Sequence, residues 1–240
     1  MKIFASEYVW PIVGGLLNGS LAAILYATGR RTSCPWFAAW ILAVFFESAV
    51  LLGLLRYLSP QAYLIVFWMF GTLEFILQCG VTLEFASKAM RHNGAWIEQA
   101  RFSLIWSSAL AFGLSSALAL FARPGTENIF DFYYARIGLF TSDFVFVVCG
   151  STFLIAYRFG TLLKLADFYR FSGFLFWSSV SALTDTMHVY WRLFHHFFAL
   201  ETAHSVLNQV IVIFWVMNTL QKPRPSALDN DGIDTLKTFF

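Results

Sequence analysis

The chain has 240 residues, of which 58% are hydrophobic and 12% charged, with a formal net charge of +2 and a mean hydropathy of +0.65. A soluble domain carries roughly 25% charged residues, so this composition excludes an ordinary water-soluble enzyme and points to an integral protein of a lipid bilayer. The small net charge gives no argument for a nucleic-acid partner, because membrane topology accounts for the basic residues.

In chain order, seven apolar stretches are each long enough to cross about 30 Å of hydrocarbon. They run from Glu7 to Thr28, Trp36 to Tyr57, Tyr63 to Met90, Phe102 to Phe121, Ile129 to Tyr157, Phe168 to Trp191 and Phe198 to Leu220. Ser33 before Pro35, and Ser59 before Pro60, place a capping hydroxyl and a first-turn proline ahead of the second and third stretches. Arg123-Pro124-Gly125-Thr126 stops the fourth. The first stretch begins behind one basic residue, Lys2, without a small-residue cleavage site, so it is expected to be a permanent helix rather than a signal peptide. Cys34, Cys79 and Cys149 are odd in number and two lie within spans, which argues against a disulfide framework. The predicted fold class is all-α, a polytopic bundle of seven transmembrane helices over residues 1–220. A flexible tail is expected at 221–240, where Pro223 and Pro225 precede Asp229, Asn230, Asp231 and Asp234. Its end, from Leu236 to Phe240, offers a docking segment for a partner or the membrane surface.

Basic residues set the orientation. Arg30, Arg31, Lys88, Arg91, Arg101, Arg158, Lys164, Arg170, Lys222 and Arg224 fall on one side, against Lys2, Arg56, Arg123 and Arg192 on the other. The positive-inside bias then puts the amino terminus outside and the carboxyl terminus in the cytoplasm.

Ionisable groups within apolar spans cost at least ~2.5–3.5 kcal/mol each, so they are candidates for function. By depth, Asn18, Glu47, Glu74, Asp143 and Asn208 come near mid-membrane, and Glu47, Glu74, Asp143 and Asn208 form the expected ligand-binding set in the outer half of the bundle. Arg136 is the nearest countercharge for Glu47 and Glu74 by depth. Glu84 stands four residues before Lys88, a favourable helical pair. Two further acid-x-x-His pairs, Asp185 with His188 and Glu201 with His204, each share one helix face and sit on consecutive antiparallel helices. Facing pairs of this kind build carboxylate metal sites in helical bundles, and their donors suit a divalent zinc, iron or manganese ion. With an open position such a site activates water, and Glu74 or Asp143 is then the candidate base. The simpler reading of all these groups is hydrogen bonding between helices at ~0.6 kcal/mol apiece.

Among aromatic residues, Trp10, Trp36, Trp40, Trp96 and Trp191 fall near predicted span ends as an interfacial belt, and the Phe-rich faces of the fifth and sixth spans read as lipid-facing or packing surface. Gly113, Ser115, Ser116 and Ala117 suit a close helix crossing. The seventh span has no lysine for a retinal Schiff base, the third lacks the acid-arginine-aromatic triplet of G-protein-coupled receptors, and His204 stands without the second histidine of membrane zinc hydrolases. Haem held between His188 and His204 is awkward on adjacent hairpin helices.

Cys34-Pro35-Trp36-Phe37, the run Arg56-Tyr57-Leu58-Ser59-Pro60-Gln61-Ala62-Tyr63, and the positions of Glu74 and Glu84 resemble a group of bacterial multi-span proteins of unassigned activity. The resemblance covers about the first ninety residues and implies a seven-helix fold in the inner membrane. The topology is also similar to seven-helix sensory modules of bacterial signalling proteins, whose output here would need a separate protein partner. Three functional readings follow: a sensor or accessory protein binding a small ligand or ion, a metal-dependent membrane enzyme using Asp185, His188, Glu201 and His204, or a structural subunit of a larger complex or homo-oligomer.

Overall fold

Apolar runs broken by proline, glycine and short polar loops become long helices in the computed structural model. It describes residues 2–54, 57, 59–92, 95–124, 129–159, 165–190 and 197–220. The helices are α1 (Lys2–Ala27), α2 (Pro35–Leu54), α3 (Pro60–Met90), α4 (Glu98–Phe121), α5 (Ile129–Arg158), α6 (Leu165–Tyr190) and α7 (Phe197–Leu220), with a short 3-10 turn at Arg30–Thr32. Between α3 and α4 a minimal antiparallel hairpin pairs β1 (Arg91–His92) with β2 (Ala95–Trp96). Each helix coincides with one predicted stretch. The tail from Gln221 to Phe240 and the segment holding Trp191, His195 and His196 lie outside the described residues.

Five of these helices, α2, α3, α4, α5 and α7, contain segments long and apolar enough to cross a membrane, and α1 adds the shorter apolar segment Ile12–Ala27. α6 is more polar, with Ser178, Ser181, Thr184, Asp185 and His188 spread along it.

Local chemistry explains the helix starts, with one departure from expectation. At α3 the Ser59 hydroxyl accepts the Ala62 N–H at 3.3 Å and the Ser59 carbonyl accepts Tyr63 N–H at 2.9 Å, as a capping serine should. At α2 the Ser33 hydroxyl instead donates back to the Arg30 carbonyl at 2.8 Å. The first free N–H groups of α2, on Trp36 and Phe37, are taken by Glu84 Oε2 of α3 at 3.0 and 3.1 Å. A carboxylate suits the positive end of the helix dipole better than a hydroxyl, which explains the substitution. Gly29, at φ 68°, supplies the left-handed residue that ends α1 and turns the chain toward α2.

Packing follows a ring. α1 lies on α2 and α7, α2 on α3, α3 on α5, α5 on α6, and α6 on α7, while α4 packs on α5 from outside the ring. At one end Ala100 and Leu104 of α4 also meet Ala86, Ala89 and Met90 of α3. The outward face of α4, with Ile105, Trp106, Leu110 and Phe121, is exposed, as befits a helix facing lipid. Arg30, Arg101 and Arg158 mark the same end of the bundle as the start of α2 and the end of α3, here called the basic end.

An aromatic core fills the ring toward that end. Phe37, Trp40, Phe85, Phe171, Phe174 and Trp215 belong to one buried cluster with Leu21, Leu25 and Ile41. Trp40 meets Phe174, Trp177 and Trp215 edge-on at centroid distances of 5.1, 4.9 and 5.8 Å; such pairs contribute about 0.5–1.5 kcal/mol each beyond their area. Trp40 is therefore core, at 2% exposure, rather than part of an interfacial belt. The Phe-rich faces divide: Phe171 and Phe174 are buried, Phe146 and Phe176 are exposed, and Phe140 stacks on Phe144 against Phe112 of α4.

Candidate functional site

Three polar assemblies interrupt the apolar bundle. The first joins α2 and α3. Trp40 Nε1 donates to Glu74 Oε1 at 3.2 Å, and Glu47 lies close enough to act electrostatically on both Glu74 and Tyr63. Neither glutamate is in an ion pair with another described residue. Arg136, the expected countercharge, is engaged elsewhere: it donates to Leu120 O at 2.7 Å and to Ala122 O at 2.8 and 3.1 Å. Its guanidinium also lies 4.4 Å from the Phe132 ring. It thus caps the carbonyl end of α4, where a cation is favoured, and Tyr190 Oη adds a bond to Leu118 O at 2.8 Å.

The second assembly joins α6 and α7. His204 Nε2 is 3.2 Å from Ser181 Oγ and 3.1 Å from Asn208 Nδ2. With the Asn208 amide nitrogen turned toward the ring, Nε2 stands as its acceptor. Asn208 Oδ1 is buried with no hydrogen-bond partner among the described residues. His188, itself buried, is near enough to act on His204 electrostatically. Asp185 lies against α5, where a Cβ added at Gly138 would be 3.7 Å from its Oδ1. Asp143 of α5 acts electrostatically on Tyr190. Among the described residues no three His, Cys, Asp or Glu side chains are grouped to hold a metal ion; the Glu201 side chain is outside that description. Of the expected ligand set, Glu47 and Glu74 come together on α2 and α3, whereas Asn208 is bound within the α6–α7 assembly.

The third assembly, at the basic end, was not expected as a unit. Glu84 and Lys88 do form their predicted pair, at 3.5 Å, but Lys88 also donates to Cys34 Sγ at 2.8 Å, to Asp167 Oδ1 at 3.3 Å and to the Ser33 carbonyl. Arg170 Nη1 donates to Cys34 Sγ at 3.0 Å and to Asp167 Oδ1 at 3.2 Å. The thiol itself donates to Asp167 Oδ1 at 3.2 Å. Cys34 caps α2 through its carbonyl, which accepts Ala38 N–H at 3.0 Å. Burial pushes the Cys34 thiol above the ordinary thiol range, against the opposing pull of Arg170 and Lys88, so it stays protonated at neutral pH. Arg170 is nearly fully buried, and its carbonyl accepts Trp215 Nε1 at 3.2 Å. A signal existed in the sequence, since Asp167 and Arg170 are spaced i and i+3 at a helix start. The basic members had been fully accounted for by topology.

An open apolar groove of about 790 Å³ runs along α3 past Leu64, Ile65, Trp68, Met69, Thr72, Leu73 and Ile76 to Tyr133, and so passes beside the stretch of α3 that carries Glu74. No family model, curated protein or solved structure matches the chain, so the functional reading rests on its own residues.

Proposed function

We propose that this is a seven-span protein of the bacterial inner membrane, amino terminus outside, that works as a sensor or accessory protein by binding a small ion between α2 and α3. The observation that carries the reading is the placement of Glu47 within electrostatic range of Glu74 in apolar helices, with Glu74 held by Trp40 and neither in an ion pair with another described residue. Two neighbouring carboxylates in a medium of low dielectric do not both remain charged and uncompensated. A proton or a bound metal cation supplies the missing charge, and exchange of one for the other is a signal the bundle can register. Asp143 and Asn208 belong to the same proposal as polar groups along the route from the outer face.

Trp40 provides the readout. Titration of the purified protein with protons, then with sodium, potassium, magnesium and calcium, should change indole fluorescence in a saturable way. Glu47→Gln/Glu74→Gln should abolish the change. An unaltered titration in the double variant would remove the ion-binding reading.

The alternative reading, a metal-dependent enzyme built on Asp185, His188, Glu201 and His204, is favoured by the proximity of His188 to His204 across α6 and α7. Elemental analysis of protein purified without chelators decides it. Stoichiometric zinc, iron or manganese lost in His188→Ala/His204→Ala establishes the site, and equal metal in parent and variant dismisses it. Co-purification of a fixed-stoichiometry partner would instead favour the structural-subunit reading.

A further inference from the structure

Glu74 and Lys88 lie about 20 Å apart along α3, at roughly 1.5 Å of rise per residue, yet a chain of close contacts through other helices joins their assemblies. Glu74 accepts the Trp40 indole N–H at 3.2 Å. Trp40 meets Trp215 edge-on, at 5.8 Å and 83°. Trp215 donates to the carbonyl of Arg170 at 3.2 Å, and the Arg170 guanidinium reaches both Cys34 Sγ and Asp167 Oδ1. The Trp215 seat is tight: a Cβ added at Gly173 would come within 2.3 Å of its Nε1. The indole therefore has little freedom to tilt without moving the α6 backbone that carries Arg170.

The basic-end assembly also has a second arrangement open to it. Asp167 and Arg170 both ride on α6, so a small shift of α6 loosens at once the contacts of Asp167 with Cys34 and Lys88 and that of Arg170 with Cys34. Glu84 Oε1 is buried, has no hydrogen-bond partner among the described residues and stands 3.5 Å from Lys88 Nζ. Lys88 is thus already ion-paired with Glu84 on its own helix and keeps that partner when it leaves Asp167. A switch requires two discrete arrangements rather than mere spatial continuity: Lys88 shared between Glu84 and Asp167, as here, and Lys88 held by Glu84 alone.

We propose that Cys34, Lys88, Asp167 and Arg170 form a latch holding α6 against α2 and α3, and that the engagement of Glu74 with Trp40 controls it through Trp215. In the closed arrangement Cys34 is shielded; when Lys88 leaves Asp167, keeping its pair with Glu84, and α6 shifts, the thiol is uncovered. The proposal rests on the reading of Glu74 as a functional group, and makes Cys34 the reporter of its state at the opposite end of the ring.

The experiment uses the full chain carrying Cys79→Ala and Cys149→Ala, and measures the rate of N-ethylmaleimide addition to Cys34 by mass spectrometry, corrected for thiolate fraction from its pH dependence. Asp167→Ala, which removes the shared acceptor, should raise the corrected rate about tenfold by raising the open population. Glu74→Leu should raise it by a similar factor, whereas Glu74→Gln, which keeps a carbonyl acceptor for Trp40, should stay near the parent. Trp215→Phe deletes the bond to Arg170 and should erase the difference between Glu74→Leu and parent. If Glu74→Leu does not fold to a monodisperse species, Trp40→Phe removes the same hydrogen bond from the other side and carries the same expectation. A fast Asp167→Ala with an unchanged Glu74→Leu overturns the coupling but not the ion-binding reading, which the fluorescence titration tests separately. An unchanged Asp167→Ala overturns the latch.

Discussion

Cys34 shows how far one side chain's chemistry depends on what surrounds it. Two cations and a helix start are the setting of a low-pKa, reactive thiolate, but burial outweighs them and holds the thiol above its usual range. The sign of the pH dependence follows. The folded thiol keeps its proton where the unfolded one begins to lose it, so its contribution to stability is complete below the ordinary thiol pKa and is lost as pH rises through that value toward the folded one. Stability measured by chemical unfolding in detergent should therefore decline on the alkaline side more steeply for the parent than for Cys34→Ser. A parallel decline in both would show that the thiol is not the group responsible. Glu84 makes a complementary point: its pairing with Lys88 was legible from four-residue spacing, but its service to the N–H groups of Trp36 and Phe37 was not, because nothing local links residues so distant in sequence.

At the level of elements, the seven helices and their ends were readable from apolar runs, prolines and the Arg123-Pro124 stop, and the five that are long and apolar enough to cross a bilayer would have to be helical there to satisfy their backbone polar groups. Helix rotation was not readable. Trp40 falls near a span end by counting, yet faces inward, since packing against Phe174 and Trp215 and not position along the axis decides which way a residue points. Arg136, the countercharge nearest in depth to Glu47 and Glu74, likewise turns instead to the carbonyls that end α4. Two glycines test the packing directly. Gly173→Ala puts a methyl 2.3 Å from the buried Trp215 indole, and Gly80→Ala puts one equally close to Trp36, whose side chain is 47% exposed and can swing away. Gly173→Ala should cost about 1–3 kcal/mol of stability, within the usual range for overpacking, and Gly80→Ala appreciably less. Thermal unfolding of the two variants side by side checks the order, and the reverse ranking would mean that the α6–α7 contact is looser than it looks.

For the whole molecule, the predicted seven-helix bundle is matched in helix number among the described residues, and the order of packing is the new information. α3 lies beside α5, and α4 stands outside, an arrangement invisible to hydropathy because α4 has the same mean hydropathy, 1.8, as the ring helices α3 and α5. The proposed orientation has its own test. In a background lacking the native cysteines, Thr32→Cys and Arg123→Cys place exposed thiols at opposite ends of the bundle. In sealed, right-side-out vesicles only Arg123→Cys should react with an impermeant maleimide; reaction of Thr32→Cys alone would invert the topology.

The closure of the ring by α7 has a consequence for biosynthesis. Chains emerge from the ribosome amino end first, so Phe37, Trp40 and Phe174 enter the bilayer before Trp215 exists to cover them, and the Arg170 carbonyl lacks its indole donor until then. Every nascent molecule thus passes through a stage with an unfinished aromatic socket on its flank. Membrane proteases and insertion chaperones would meet that socket as the mark of an incomplete product, and a chain halted after α6 would carry it permanently.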